Sequence, residues 1–390
     1  MKILILSAST GEGHNSSGKA ILAAMHQQGI EAEMKDVLEI ASPRASKRVS
    51  KTYVKSTEGH NMFSKIYALG VWISEHLNQG RRSPIYLFNK IYWRRLYRYI
   101  EEGGYDAVIS VHLFAAESLT AVKREGKLKV PAFFVMTDYT LHAFLNDTDL
   151  DYYIIPHEDL IPVYTRQGFK FDHLFPIGIP VDVEKFTTRQ PKDEARAKVA
   201  EQLGFKLGAN EGKWYLVMSG SMGFGNMSLL MREFVKRIKR NDRVICVCGR
   251  NERNLHTVQR DFQKEKRVVP VGYTDQVSLL MDACDVVLSK PGGITTTETI
   301  IKNIPLVHTA PIPGIESENA EFCHERNMSF HADKPVEQVE AAIRLATDNE
   351  AREAMLESQR RNSEPQTCKF IIDLVVHTLE DRAKKEIGVF

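Results

Sequence analysis

The sequence lacks the features that mark several large classes of protein. It contains no run of 18 apolar residues, so we expect no membrane-spanning segment. Its five cysteines form no Cys-x-x-Cys pair and no histidine or cysteine set has zinc spacing, so we expect reduced thiols and no metal site. The net charge is only +2, and we expect no nucleic-acid partner. The first strand begins at Lys2 without a signal-like leader, which favours a cytoplasmic protein.

Apolar strands alternate with helix-length segments along nearly the whole chain. This alternation predicts an α/β fold with two doubly wound, Rossmann-like domains that face each other across a cleft. A charged stretch between residues 181 and 212 interrupts the alternation, and we place the domain boundary near residue 185. The predicted domains are 1–185 and 186–365. Residues 366–390 are predicted to form a helix that packs back toward the first domain, with Phe370, Ile371, Leu374 and Val375 on one face.

Residues 285–299 combine a strand, a glycine turn and the start of a helix. Pro291-Gly292-Gly293 is predicted to expose backbone N–H groups, and Thr295–Thr297 are placed to cap the helix that follows. The N-terminus of a helix stabilises a nearby phosphate by about 0.3–1 kcal/mol. Glu298, one turn into the helix, would repel phosphate but would accept hydrogen bonds from sugar hydroxyls. A nucleotide-sugar fits both features, and an ordinary strand–turn–helix is the alternative.

Other loops of the second domain follow neighbouring strands. The segment 219–226 is a second glycine-rich turn, which would close a phosphate site from the other side. Arg250 and Tyr273 each follow a strand and are placed to line a base pocket. A further helix is predicted to begin after residue 313 at the same edge. Several such loops at one edge of a sheet indicate a ligand site.

The loop after the first strand is ambiguous. Residues 13–19 match the G-x-x-x-x-G-K pattern of a P-loop, but Ala20 stands where a Ser or Thr hydroxyl should hold Mg²⁺. The glycines at 11 and 13 also half-match a dinucleotide fingerprint. A third interpretation is that the loop presents His14 at the edge of the sheet, and a fourth is that His14 is only a polar residue at a helix start. Asp138 follows another strand, so either His14 or Asp138 could take a proton from an acceptor hydroxyl.

The acid-rich run at 147–151 matches a D-x-D metal-binding pattern. It directly precedes a predicted strand, and Asn146 and Asp147 are good turn formers. We therefore interpret this run as a surface turn that holds no metal.

Two stretches of the first domain are basic. On a helix, the basic residues of 44–55 would lie on one side without an acid among them. From 81 to 99, basic residues are interleaved with aromatic ones. Anionic headgroups attract each nearby cation by about 1 kcal/mol, so the pattern favours peripheral attachment to the inner face of the cell membrane. The alternatives are a solvated helix face over core aromatics, or RNA binding. The candidate membrane-binding residues are Arg44, Lys47, Arg48, Lys51, Arg81, Arg82, Trp93, Arg94 and Arg95.

Three motifs together resemble those of one known family. They are the Ser-Lys-Pro-Gly-Gly run at 289–293 with Glu298, the Gly-Glu-Gly-His run at 11–14, and the Met-Thr-Asp-Tyr run at 136–139 with His142. In them the chain resembles the bacterial processive diacylglycerol glycosyltransferases, which are relatives of plant monogalactosyldiacylglycerol synthases and, more distantly, of the peptidoglycan N-acetylglucosaminyltransferase. The resemblance implies a GT-B architecture, with a UDP-sugar bound by the second domain and a diacylglycerol-type acceptor at the first.

The resemblance also implies roles for individual residues. Glu298 would bind the ribose, the two glycine turns the diphosphate, and Glu316 and Asn319 the donor sugar. Relatives often have Gln at the position of Ile315, which leaves the identity of the hexose open. The candidate donor-binding residues are Ser221, Met222, Gly223, Arg250, Tyr273, Gly292, Gly293, Thr295, Glu298, Glu316 and Asn319.

The expected activity is an inverting, metal-independent transfer that needs no cofactor. A hexose, with glucose as the first expectation, would move from a UDP-sugar to the hydroxyl of diacylglycerol or of a glycosyl-diacylglycerol. His14 and Asp138 are the candidate catalytic residues. The alternatives are another lipid or small acceptor, a P-loop ATPase, an epimerase of UDP-sugars, and a UDP-sugar sensor that transfers nothing.

Overall fold

The computed structural model describes residues 1–8, 12–41, 83–220, 227–312 and 314–387. The chain divides into two compact units, of which the first comprises Met1–Asp182 with Gln366–Phe390 and the second comprises Val183–Pro365. Each unit contains one six-stranded sheet with helices between successive strands. The predicted α/β class, with two doubly wound domains, is confirmed.

The first unit is built on a sheet in which every strand pair is parallel. Its strands are β1 (Lys2–Ser7), β2 (Glu31–Asp36), β3 (Ala107–Ser110), β4 (Ala132–Val135), β5 (Tyr152–Ile155) and β6 (Leu174–Pro176). Their spatial order is β2-β1-β3-β4-β5-β6. The chain leaves β1 toward one side of the sheet and leaves β3 toward the other. The carboxyl ends of β1 and β3 therefore form the switch point at which such sheets bind ligands.

The helices of the first unit follow its strands. They are α1 (Glu12–Gln27), α2 (Val37–Ala41), α3 (Pro84–Lys90), α4 (Trp93–Gly103), α5 (Leu113–Arg124) and α6 (Ile161–Arg166), with 3-10 turns at Leu145–Asp147, Glu158–Leu160 and Phe171–His173. Gly104 ends α4 with φ 63°, a left-handed conformation that glycine adopts without steric cost. The central strands β3 and β4 are buried at every residue, which explains their uninterrupted apolar sequences.

The second unit also has an entirely parallel sheet. Its strands are β7 (Trp214–Met218), β8 (Arg243–Val247), β9 (Val268–Val271), β10 (Val286–Ser289), β11 (Leu306–His308) and β12 (Phe330–His331). The spatial order β12-β11-β10-β7-β8-β9 puts the switch point at β7 and β10. The sequence did not predict β12, because two residues are too short for a recognisable strand pattern.

Nine helices accompany this sheet in the part of the second unit that the structure describes. They are α7 (Val183–Thr187), α8 (Lys192–Leu203), α9 (Met227–Arg237), α10 (Glu252–Asp261), α11 (Val277–Ala283), α12 (Gly293–Ile301), α13 (Ile315–Glu325), α14 (Pro335–Thr347) and α15 (Asn349–Arg361). The sequence did not predict α15, whose buried side chains are only Met355 and Gln359. So few buried positions leave little apolar periodicity.

The last helix, α16 (Thr367–Ile387), belongs to the first unit. Ile371, Ile372 and Val375 are buried in the same core cluster as residues of α1. The predicted apolar face was wrong at Phe370, which is 36% exposed. Contact with α1 buries the face of α16 that contains Ile372 rather than the predicted face with Phe370. The apolar periodicity of α16 alone does not reveal which of these faces contacts α1.

Candidate active site

The carboxyl edge of the first sheet brings the predicted catalytic residues together. His14 lies in the first turn of α1, which follows β1, and His112 follows the neighbouring strand β3. Asp138 follows β4, the next strand of the sheet. The ring centroids of His14 and His112 are 4.6 Å apart. The parallel arrangement therefore gathers residues that are more than 100 positions apart in the sequence.

A series of polar contacts connects His14 to Asp138. Thr137 Oγ1 lies 2.9 Å from His14 Nδ1 and 3.4 Å from Asp138 Oδ2. Asp138 Oδ2 is also 3.0 Å from His142 Nε2. Thr137 and His142 are buried, whereas His14 and Asp138 are half-buried. The two residues predicted from the sequence thus share one hydroxyl group and both keep contact with solvent.

His14 is held in its neutral form. Desolvation lowers the pKa of His14 to about 4; the carboxylate of Asp138 and a hydrogen bond with the backbone of Val111 oppose that shift, while the charge of His142 adds to it. At neutral pH an imidazole with this pKa is uncharged and can accept a proton. The nearby Asp138 carboxylate favours the charged form of the ring, so it is placed to stabilise an imidazolium at His14.

His112 has a structural role beside His14. Its Nδ1 accepts the backbone N–H of Phe114 at 3.1 Å and so caps the N-terminus of α5. Burial lowers the pKa of His112 well below its ordinary value, and the nearby His14 and His142 lower it further. Nδ1 is the acceptor in this contact, so the neutral ring carries its proton on Nε2. His112 was not among the residues predicted from the sequence, although its position two residues after the end of β3 was an available signal.

The P-loop hypothesis for residues 13–19 is wrong. These residues lie inside α1 rather than in a loop that could surround a phosphate. Gly18 allows close packing of this helix, because a Cβ atom there would lie 2.9 Å from Met34 Cε and 3.4 Å from Val111 Cγ2. Lys19 is exposed. The dinucleotide hypothesis depends on the loop at 9–11, which is outside the described residues.

The acid-rich run at 147–151 pairs with cations and backbone groups of the first unit. Asp147 accepts the N–H of Ser83 at 2.8 Å, and Asp151 accepts the N–H of Ala132 at 2.8 Å. Lys123 Nζ lies 2.8 Å from Asp151 Oδ1, at the end of α5. These contacts give the carboxylates of Asp147 and Asp151 a structural role. Within the described ranges, no group of three His, Cys, Asp or Glu side chains is arranged to hold a metal ion.

The second candidate site lies at the switch point between β7 and β10. β10 leads into the Lys-Pro-Gly-Gly turn, and Gly292 is the N-cap of α12. Gly292 has no side chain, so no side-chain cap occupies the N-terminus of α12, and the positive end of the helix dipole favours an anion there. Gly293 and Glu298 lie within α12, where Glu298 is half-buried.

The predicted capping role of Thr295–Thr297 is wrong. The helix begins at Gly293, so all three threonines lie inside it. Thr297 Oγ1 donates to the backbone oxygen of Gly293 at 2.7 Å, and the backbone oxygen of Thr295 accepts from Thr299 at 2.8 Å. Hydroxyl groups within a helix bond back to the carbonyl four residues earlier. Thr295 is half-buried, and its contact with a donor remains a prediction.

The Lys-Pro-Gly-Gly turn is fixed from α13. Asn319 is fully buried and donates to the backbone oxygen of Pro291 at 2.9 Å. Glu316 forms an ion pair with Lys290 and accepts the N–H of Ile312 at 2.9 Å. α13 begins at Ile315, close to the predicted start after residue 313, so Glu316 lies in its first turn. Sequence analysis gave Lys290 no role, although it stands within the recognised motif.

Arg250 and Tyr273 form an exposed pair beyond this turn. They follow β8 and β9, and the guanidinium carbon of Arg250 lies 4.3 Å from the ring centroid of Tyr273. Tyr273 is 58% exposed, so one face of its ring is available for stacking. Neighbouring strands are about 4.8 Å apart, which places β8 about 10 Å from β10 across the sheet. That separation is comparable to the distance between the base and the diphosphate of a nucleotide.

The surface around α3 and α4 is apolar and basic. Leu87, Phe88 and Ile91 are 55%, 40% and 71% exposed. Arg94 and Arg95 are exposed as well, whereas Trp93, which contacts Arg94, is half-buried. Sequence analysis recognised the arginines and Trp93 but not Leu87 or Ile91. Along the described part of the chain, no helix is both long and apolar enough to cross a bilayer.

Several residues predicted from the sequence lie outside the described residues. Their roles remain predictions. They are Ser221, Met222 and Gly223 of the donor-binding set, and Arg44, Lys47, Arg48, Lys51, Arg81 and Arg82 of the membrane-binding set.

Comparison with protein families matches each unit to a known domain. The model described as monogalactosyldiacylglycerol (MGDG) synthase matches residues 14–181, and the model of the glycosyltransferase family 28 C-terminal domain matches residues 215–368. The resemblance to the MGDG synthase-like glycosyltransferases is confirmed. The first match begins at His14, and the second contains the whole Lys-Pro-Gly-Gly turn.

Named relatives resemble this chain over nearly its full length. It is 26% identical to the processive diacylglycerol beta-glucosyltransferase of Bacillus pumilus, over 92% of this chain and 90% of the relative. The enzyme of the same name from Staphylococcus aureus strain MRSA252 is 24% identical, over 97% and 94% of the two chains.

Solved structures share the fold at lower identity. MurG of Acinetobacter baumannii has a TM-score of 0.62 at 14% identity, covering 96% of this chain and 99% of that chain. The UDP-GlcNAc 2-epimerase of Neisseria meningitidis, bound to UDP-GlcNAc, has a TM-score of 0.63 at 13% identity, covering 97% and 100%. The chain therefore has the GT-B fold.

Proposed function

We propose that this protein is a hexosyltransferase of the EC 2.4.1 type that moves glucose from UDP-glucose to diacylglycerol or a glycosyl-diacylglycerol. The observation that carries the proposal is the full-length similarity to processive diacylglycerol beta-glucosyltransferases. It is supported by a histidine with a lowered pKa at one switch point and by a helix N-terminus without a side-chain cap at the other.

The reaction we propose is a single displacement with inversion. The acceptor hydroxyl oxygen bonds to the anomeric carbon while the bond from that carbon to the β-phosphate oxygen breaks. The electron pair of the broken bond leaves with UDP, and the hydroxyl proton passes to His14. We assign the base to His14 rather than Asp138, because burial keeps the His14 ring uncharged at neutral pH and the adjacent Asp138 carboxylate favours its protonated form. Asp138 stabilises the imidazolium.

The second unit holds the donor in this proposal. Tyr273 and Arg250 stack with the base, Glu298 binds the ribose hydroxyls, and the N–H groups at the start of α12 bind the diphosphate. These N–H groups offset the charge that grows on the leaving UDP, so no metal ion is required. Glu316 binds hydroxyls of the hexose.

We further propose that α3 and α4 contact the anionic inner face of the cell membrane. Ile91 and its exposed apolar neighbours would enter the interface while Arg94 and Arg95 remain among the headgroups. This attachment would bring the enzyme to its lipid acceptor.

The test of the transfer is formation of glycolipid and UDP in mixed micelles of diacylglycerol and anionic lipid. UDP-glucose and UDP-galactose are supplied separately, each with EDTA. Glycolipid from UDP-glucose under EDTA is the expected result, and His14→Ala should abolish it while UDP still binds. Conversion of the donor without acceptor would favour an epimerase, and UDP binding without transfer to lipid would favour a sensor.

The test of membrane contact is cosedimentation with anionic vesicles. Ile91→Ser should lower the bound fraction, and Phe171→Ser provides the matched control because Phe171 is a 70% exposed aromatic residue elsewhere in the first unit. Equal binding by both variants would contradict the assignment of this surface.

A further inference from the structure

The side chain of Lys290 lies across the switch point of the second sheet. Lys290 follows β10, and Gly220 follows the neighbouring strand β7. A Cβ atom at Gly220 would lie 2.6 Å from Lys290 Cε, so the glycine leaves room for the lysine stem. Gly220 also has a φ angle of +72°, a backbone conformation that residues with a side chain rarely adopt. The backbone at Gly220 therefore accommodates the side chain of Lys290.

The ammonium group of Lys290 is paired with Glu316 of α13, and this ion pair lies next to the start of α12. A Cβ atom at Gly292, the N-cap of that helix, would lie 3.8 Å from Lys290 Nζ and 3.9 Å from Glu316 Oε1. The ion pair thus lies beside the N-terminus of α12. Only 23% of the lysine side chain and 12% of the glutamate side chain are exposed. The pair occupies the place where the proposed diphosphate would lie.

While Lys290 and Glu316 are paired, the negative charge of Glu316 disfavours binding of a diphosphate beside them. The phosphates and the Glu316 carboxylate are both negative and would compete for the same ammonium group and the same helix start. Breaking a partly buried pair without replacing the lost partner is costly. Exchange of the carboxylate for a phosphate oxygen avoids that cost, because Lys290 stays paired throughout.

We propose that Lys290 is a ligand of the donor diphosphate and exchanges Glu316 for it when the donor binds. This inference rests on the proposed function and deepens it. In the ligand-free protein Glu316 neutralises Lys290; in the complex Lys290 donates hydrogen bonds to phosphate oxygens and Glu316 accepts from hexose hydroxyls. Lys290 transfers no proton. It stabilises the negative charge that UDP acquires as the bond to the sugar breaks.

The exchange makes donor recognition depend on the sugar. UDP alone would release Glu316 from Lys290 and leave its carboxylate without a hydroxyl partner. UDP-glucose would supply both the phosphate for Lys290 and the hydroxyls for Glu316. The protein should therefore favour the intact donor over the product UDP, and neutralising Glu316 should reverse part of that preference.

Calorimetric binding of UDP, UDP-glucose and uridine to three variants of the full chain tests this proposal. Lys290→Met should weaken UDP binding by about tenfold or more, because a charge-assisted hydrogen bond is lost, and should leave uridine binding unchanged. Lys290→Arg, which keeps the charge, should retain most of the affinity. Glu316→Gln should tighten UDP binding by about threefold or more and weaken UDP-glucose binding relative to UDP.

Lys192→Met is the matched control. Lys192 pairs with Asp285 at 2.7 Å at the amino end of β10, so this variant removes an equal charge from the opposite edge of the same sheet. It should leave the binding of all three ligands unchanged.

The outcomes separate this proposal from the proposed function. Glu316→Gln weakening UDP binding as much as Lys290→Met would show that the pair only supports the turn, and unchanged UDP binding by Lys290→Met would also overturn the exchange. Failure of the wild-type protein to bind UDP would instead reject the proposed function. If Lys290→Met does not fold, Glu316→Gln decides alone, because tighter UDP binding follows only from competition.

Discussion

His308 should make the second unit sensitive to acid. Its side chain is fully buried behind α12, with Nε2 3.1 Å from Thr296 Oγ1 and Nδ1 3.0 Å from Ser329 Oγ. Desolvation, together with the nearby His331 and His324, lowers the pKa of His308 to about 3. The folded protein therefore keeps this ring neutral at pH values at which the unfolded chain protonates it.

The sign and size of the effect follow from that difference. The unfolded histidine has a pKa of about 6.5, so the stabilising effect of the neutral ring is complete above that pH and is lost as the pH falls toward 3. Each pKa unit corresponds to about 1.4 kcal/mol, so at pH 5 the loss from this residue is about 2 kcal/mol. Replacement by glutamine removes the titrating group and with it this part of the pH dependence.

Urea unfolding at pH 7, 6 and 5 measures the effect. The fluorescence of Trp214, which is buried in the second unit, reports unfolding in a background that carries Trp72→Phe and Trp93→Phe. The free energy of unfolding should fall by about 2 kcal/mol less between pH 7 and pH 5 in His308→Gln than in the parent. His377→Gln, at an exposed position in α16, is the control. Equal pH dependence of the parent and His308→Gln would refute the reasoning.

Three substitutions test other features. Asp282→Ala should lower the free energy of unfolding by about 3–5 kcal/mol in urea titrations, because it leaves the fully buried ammonium of Lys302 without its carboxylate; a loss below about 1 kcal/mol would contradict this. Thr137→Val should lower kcat by about tenfold or more while the Kd for UDP stays constant, because His14 loses its link to the carboxylate, and Thr137→Ser should restore kcat. Gly220→Ala should weaken UDP binding but not uridine binding, because its methyl group would displace the lysine stem; equal weakening of both ligands would indicate general disruption.

The fold was predictable because both sheets are parallel and covered on both faces. Strands in such sheets read as short apolar runs, and the run at 286–288 is buried at every residue. His14 and Asp138 were found by the same logic, since carboxyl ends of parallel strands share one edge. The prediction required only that a polar residue follow a buried strand.

The contacts that define the second site could not be predicted in this way. The pairing of Lys290 with Glu316 joins residues from two different strand–helix connections, and no local pattern in the sequence encodes it. Asn319 was predicted to contact the sugar from the family resemblance, but its buried amide also holds the turn through Pro291. The helix start was misplaced because threonines favour both a cap and back-bonding within a helix.

The two sheets use the same topological position for opposite electrostatic purposes. At the first switch point, burial lowers the pKa of His14 and leaves a neutral ring that can accept a proton. At the second switch point, Gly220 and Gly292 have no side chains, and this leaves room for the positively charged Lys290 beside the start of α12. Transfer of a sugar needs both conditions at once, because the acceptor loses a proton as the leaving group gains a negative charge. Lysine in place of His14 would remove the proposed base. Histidine in place of Lys290 would remove the proposed partner of the diphosphate.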